Sequence, residues 1–96
     1  MAGTIDKDNA LIIMKARLNR LESDTSLDEY LHSRLLAAET QLINIGIADL
    51  GEYDDDMLLL VDFAVWQYQN RDAAGSMPEW LRLRRRERWL RRAGSA

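Results

Sequence analysis

The chain of 96 residues carries 16 Asp and Glu against 13 Lys and Arg, and it contains no cysteine. This length suffices for one domain with a small core, and the lack of cysteine excludes a disulfide framework, a thiolate metal site and a cysteine nucleophile. The N-terminus has no basic region and the apolar run 10–14 is too short for a secretion signal, so we expect a soluble, unexported protein with no membrane partner.

Charge is divided unevenly along the chain. Residues 1–75 carry 14 Asp and Glu against 6 Lys and Arg, a net charge of −8, whereas residues 76–96 carry 7 Arg against 2 Glu, a net charge of +5. An acidic body with a basic C-terminal segment favours binding to an acidic surface. Charge alone leaves open whether that surface is nucleic acid or the body of another copy.

The first predicted helix covers about residues 8–22 and begins near Asp6 or Asp8, whose carboxylate accepts hydrogen bonds from free N–H groups. One face of this helix carries the apolar residues Leu11, Met14, Leu18 and Leu21. A different face, which one small core does not easily cover, carries Ile12, Ile13 and Ala16.

The second predicted helix, about residues 26–45, starts at a capping box of Ser26 and Glu29. It ends before Gly46, because glycine takes the left-handed conformation without a steric cost. Its core stripe is regular and consists of Leu27, Leu31, Leu35, Ala38, Leu42 and Ile45. A thinner stripe on the far side consists of His32, Leu36 and Ile43.

The third predicted helix, about residues 54–71, is apolar on nearly every side between Met57 and Tyr68, with Asp62 and Gln69 on a shared polar stripe. It is too short and too charged to cross a bilayer, which indicates a buried core helix with the other segments around it. The three consecutive aspartates at its start point in different directions. This disfavours a metal site and favours acids that cap the helix and offset its dipole.

The fourth predicted helix, about residues 77–92, follows a second capping box at Ser76–Glu79. Two of its faces are suited to contact, one with Trp80, Leu83 and Leu90 and one with Leu81, Arg85 and Trp89 at i, i+4 and i+8. Two interpretations stay open: a solvated basic helix whose arginine stems cover its aromatic rings, or an attachment element that binds a partner protein or DNA.

These elements predict an all-α fold, a small bundle of four helices around the central, nearly all-apolar third helix, in a single domain 1–96. His32 has no second histidine or cysteine with which to bind a metal ion. The serines offer no hydrolase triad, and the scattered glycines form no phosphate-binding loop. The sequence therefore predicts no enzyme, no metal site and no cofactor.

Two segments are similar to a known family: Asp55–Tyr68, with the sequence DDMLLLVDFAVWQY, and Met77–Arg82, with the sequence MPEWLR. Together with the two preceding helices they resemble the gp6-like head-tail connector (adaptor) proteins of tailed phages and prophages. The resemblance covers roughly residues 8–90. The C-terminal segment is richer in arginine than the family pattern, so the role of that segment is not carried over.

The resemblance implies a structural protein of the virion, made in the bacterial host cytoplasm, that forms a homo-oligomeric ring beneath the capsid portal protein. There it extends the DNA channel and docks the tail or a second connector. A closed ring requires two different patches on each copy. On this expectation the subunit interface comprises Ile12, Ile13, Ala16, His32, Leu36 and Ile43.

Docking to the portal or a neighbour is assigned to the fourth helix, because its charge complements an acidic surface and tryptophans lie on two of its sides. The residues assigned to this role are Trp80, Leu81, Arg82, Arg85, Arg88, Trp89 and Arg92. Non-specific contact of the arginines with channel DNA stays open. A different class of function also stays open, namely a small nucleic-acid-binding or regulatory protein whose affinity for DNA falls steeply with salt.

Overall fold

The computed structural model describes residues 5–70 and 76–91, which form four helices: α1 Lys7–Arg17, α2 Asp28–Asn44, α3 Asp56–Gln69 and α4 Glu79–Leu90. The predicted all-α class is confirmed, and no strand occurs within these two ranges. The helix α3 packs against each of the other three helices, and α4 lies on α3.

The core lies between α1, α2 and α3 and extends into the loop after α2 and to Leu81 of α4. The stripe predicted for α2 is confirmed at its centre, where Leu31, Leu35, Ala38 and Leu42 are fully buried. In α3, Phe63 is buried, whereas Trp66 is half-buried and packs against the core. Burial of large apolar side chains contributes roughly 1.5–3 kcal/mol each, so packing rather than helix propensity holds these elements together.

The start of α1 agrees with prediction, and its end does not. The carboxylate of Asp6 accepts hydrogen bonds from two N–H groups of the first turn. The helix stops at Arg17 rather than near residue 22, since Asn19 turns the chain in the left-handed conformation with a φ of 59°. Leu21 is consequently outside the helix and 74% exposed, so its assignment to the core face is wrong.

Neither predicted capping box forms. The cap positions of α2 and α4 are Leu27 and Pro78, and neither helix start has a side-chain cap. Instead, the hydroxyl and the N–H of Ser26 both donate to Asp24 Oδ1, at 2.7 and 3.1 Å. These hydrogen bonds hold the pKa of Asp24 below its ordinary value. The serine therefore stabilises the loop before α2 rather than the helix start.

The helix α2 ends before Gly46, and this glycine has the positive φ predicted for it. Gly46 has a φ of 119°, and the N–H groups of Gly46 and Ile47 donate to carbonyls of the last helical turn at 3.0 and 3.1 Å. The chain then re-enters the core at Ile47 and Leu50. A Cβ at position 46 would collide with the indole of Trp89, so glycine is required by the close approach of α4 as well as by the backbone.

Candidate partner-binding surface

One side of α4 faces the acidic body of its own chain. At 100° per residue, four side chains fall within about 80° of arc: Leu81, Arg84, Arg88 and Arg91. Leu81 is fully buried. Each of the three arginines forms an ion pair with an aspartate of the body. Much of the charge separation seen in the sequence is therefore neutralised within the chain.

Arg88 is the most enclosed of these arginines. Its Nε donates to Asp56 Oδ1 at 2.6 Å, and its Nη2 donates to Asp56 Oδ2 at 3.2 Å and to the Asp49 carbonyl at 2.9 Å. The side chains of Arg88 and Asp56 are 5% and 1% exposed. Burial alone would lower the pKa of Arg88, but the hydrogen bonds and charges of Asp56 and Asp49 raise it above its ordinary value.

Asp56 also fixes the loop that precedes α3. Its Oδ2 accepts hydrogen bonds from the N–H groups of Gly51 and Tyr53, at 2.7 and 3.2 Å. Asp56 is the first residue of α3. Its carboxylate binds the N–H groups of the preceding loop and Arg88 of α4, and it does not cap its own helix. The predicted role of this acid as a helix cap is wrong, because a buried guanidinium competes for its carboxylate.

Asp62 joins three helices. This carboxylate on α3 is buried, and its two oxygens accept hydrogen bonds from Arg17 of α1 and Arg84 of α4. Sequence analysis placed it on a polar stripe with Gln69, which is exposed, but did not identify its partners. A buried aspartate requires a cation or hydrogen-bond donors beside it. The position of Asp62 as a single acid within an apolar helix was therefore the sequence feature that could have predicted an arginine partner.

Two residues assigned to docking lie in the interior, and that assignment is wrong for both. Leu81 belongs to the core, and Arg88 neutralises buried aspartates. Trp89 is half-buried beside Gly46. Arg92 lies outside the described residues. The remaining docking residues are wholly or partly at the surface: Trp80, Arg82 and Arg85.

The opposite side of α4 forms a groove with the end of α2, which we call the α2–α4 groove. Its volume is about 560 Å³, and it is lined by Ile45, Arg82, Leu83, Arg85, Arg86 and Trp89. Ile45 and Leu83 are 43% and 47% exposed. Arg85 and Arg86 form no ion pair with any described residue, and Arg82 meets only the exposed Glu79, at 3.6 Å. The groove therefore combines apolar surface with uncompensated positive charge.

The residues predicted for a subunit interface lie on α1 and α2, and most are on the outer sides of these helices. Ile13 packs against the core, and His32 is half-buried. The other four are exposed: Ile12, Ala16, Leu36 and Ile43. Because exposed isoleucine and leucine leave apolar area in water, these side chains are available for contact with another protein. Their part in assembly stays a prediction.

No group of three or more acidic, histidine or cysteine residues in the described ranges could hold a metal ion. Among the helices described, none has the length and apolar character needed to cross a membrane. Comparison of the chain with protein-family models, curated proteins and solved structures found no match. We therefore infer function from the surfaces above and from the sequence resemblance.

Proposed function

We propose that this protein is a structural, non-enzymatic head-tail connector of a tailed phage or prophage. In this role it forms a homo-oligomeric ring beneath the capsid portal protein, extends the DNA channel, and docks the tail or a second connector. The resemblance at Asp55–Tyr68 and Met77–Arg82 suggests the family. The structural observation that supports it best is the presence of two separate exposed apolar surfaces on one small helical chain.

The first apolar surface lies on α2 and the second on α4, which packs on α3 and approaches α2 at Gly46, just beyond its last turn. On α2 it includes Leu36 and Ile43, and on α4 it includes Trp80, Leu83 and Leu90, all between 41% and 53% exposed. Burying the exposed half of each side chain would contribute roughly 1 kcal/mol, which favours a protein that buries them elsewhere. A subunit of a closed ring needs two different patches, one for each neighbour.

The nucleic-acid-binding alternative is less favoured by the charges. Aspartates of the body pair with Arg84, Arg88 and Arg91, which makes these arginines less available to phosphates. Three described arginines of α4 remain for that purpose: Arg82, Arg85 and Arg86. Three phosphate contacts correspond to a slope of about −2.7 in log affinity against log salt, which is typical of weak, non-specific binding.

The test is assembly with the portal protein encoded in the same phage or prophage genome. Wild-type protein should form a ring on the portal, seen by electron microscopy and by native mass. Leu36→Glu and Ile43→Glu should retain wild-type helicity in circular dichroism, because both side chains are outside the core. They should fail to assemble, because the interface would bury an unpaired carboxylate.

The matched control is Leu21→Glu, the same substitution at a more exposed leucine outside any helix. It should assemble as wild type does. Normal assembly of Leu36→Glu and Ile43→Glu would remove α2 from the interface. If the wild-type protein instead fails to bind the portal and binds duplex DNA as a monomer or dimer, the connector function is wrong and the nucleic-acid-binding function is supported.

A further inference from the structure

We propose that the α2–α4 groove binds an acidic segment of a partner protein, in which carboxylates flank at least one large apolar side chain. This inference depends on the groove alone. It holds whether or not the protein is a connector, so failure of either proposal leaves the other standing.

The charges of the groove favour an anionic partner. Among the described residues, its lining contains three arginines and no acidic side chain. On the inner side of α4, by contrast, every arginine already has an aspartate: Arg84 with Asp62, Arg88 with Asp56 and Arg91 with Asp55. Guanidinium groups bind carboxylates through two parallel hydrogen bonds. On the groove side, the described ion pairs give Arg82 only the exposed Glu79, at 3.6 Å, and give Arg85 and Arg86 no carboxylate.

The apolar part of the groove distinguishes a peptide from a nucleic acid. Ile45 comes from the end of α2, while Leu83 and Trp89 come from α4, and together they supply apolar surface between the guanidinium groups. Phosphates of duplex DNA would engage the arginines but leave Ile45 and Leu83 in water. A segment with carboxylates beside an apolar side chain uses both features, and arginine and tryptophan are the residues that most often dominate protein–protein binding.

The groove is also pre-formed. Trp89 stands directly against Gly46, where even a methyl group would not fit, so the approach of α4 to the end of α2 is fixed. The neighbouring Arg88 is held by two aspartates beneath the helix. A partner therefore does not have to order the helix that it binds, which reduces the entropic cost of association. The groove volume lies within the range of ordinary binding pockets, roughly 300–1,000 Å³.

Binding is tested with the full chain and a fluorescein-labelled synthetic peptide of alternating Glu and Leu, measured by fluorescence anisotropy. Peptides of the same length serve as comparisons, one all Glu and one of alternating Lys and Leu, together with a DNA duplex. The Glu–Leu peptide should bind best, and the Lys–Leu peptide should not bind. Leu83→Ser and Arg85→Gln should each weaken binding about tenfold, the size of a moderate hot-spot loss.

Each variant has a matched control. Arg91→Gln removes the same charge from the same helix, but Arg91 pairs with Asp55 on the inner side. Leu36→Ser removes an equally exposed leucine from the outer side of α2. Both controls should bind the peptide as wild type does. Equal losses in groove and control variants would overturn the proposal, as would equal binding of the all-Glu peptide, no binding of the Glu–Leu peptide, or a stronger groove-dependent affinity for the duplex.

Discussion

Arg88→Met is the substitution that tests the inner face of α4 most directly. Methionine keeps the length and apolar stem of the side chain but removes the guanidinium that contacts Asp56 and Asp49. Asp56 would stay buried but would lose its ion pair with Arg88. Two N–H groups, from Gly51 and Tyr53, would still donate to it.

The expected cost follows from these contacts. Removal of one partner from a buried ion pair destabilises a protein by about 3–5 kcal/mol. Because two N–H groups would still donate to Asp56, we expect a cost in the lower half of that range, about 3–4 kcal/mol. A chain of 96 residues has a total free energy of unfolding of roughly 5–14 kcal/mol, at 0.05–0.15 kcal/mol per residue. The variant should therefore lose about a fifth or more of the stability of the protein.

Urea unfolding at neutral pH, followed by circular dichroism, measures this loss. Arg91→Met is the control, since the Arg91–Asp55 pair is 3.2 Å long, and its side chains are 52% and 66% exposed; it should cost less than about 1 kcal/mol. Adding Asp56→Asn to Arg88→Met should recover part of the loss by removing the unpaired charge. The reasoning fails if Arg88→Met unfolds within about 0.5 kcal/mol of wild type, or if the two single arginine variants cost the same.

Two further predictions concern the core and the contact of α4 with α2, and both are measured by urea unfolding. Phe63→Ala should lower the free energy of unfolding by about 3–5 kcal/mol, because the ring is buried. Trp66→Ala should lower it by about half as much, because Trp66 is half-buried. Equal losses in the two variants would contradict the difference in burial. Gly46→Ala should cost about 2–4 kcal/mol, from the φ of 119° and the collision with Trp89. Adding Trp89→Leu should relieve only the collision, so full recovery would refute the backbone contribution.

Local patterns in the sequence predicted the parts of the fold that depend on near neighbours. The stripe of α2 has helical spacing over four turns, and only one face of that helix reaches the core. Gly46 was predictable because a left-handed helix end has a strong residue preference. Asp6 was predictable for a similar reason, since a short carboxylate at a helix start has N–H donors within reach.

The inner face of α4 was not predictable, because its partners are distant in the chain. Arg88 and Asp56 are 32 positions apart, and Arg17 and Asp62 are 45 apart. The uneven charge of the chain indicated attraction between the body and the C-terminal segment, but composition does not distinguish a pair within one copy from a pair between two. The capping box at Ser26 failed for a local reason, since the hydroxyl donates to Asp24 in the folded loop instead of accepting from an N–H group at the helix start.

The arginine–aspartate pairs under α4 also determine how a mechanical load would travel through the chain. A force applied by a partner to α4 would act on the ion pair between Arg84 and Asp62. Because Asp62 also pairs with Arg17, part of that force would reach α1. The second route runs through Arg88 into Asp56, which is tied to both α3 and the loop at Gly51. Tension on α4 would thus be divided between the N-terminal helix and the middle of the bundle, so no single contact would bear the whole force.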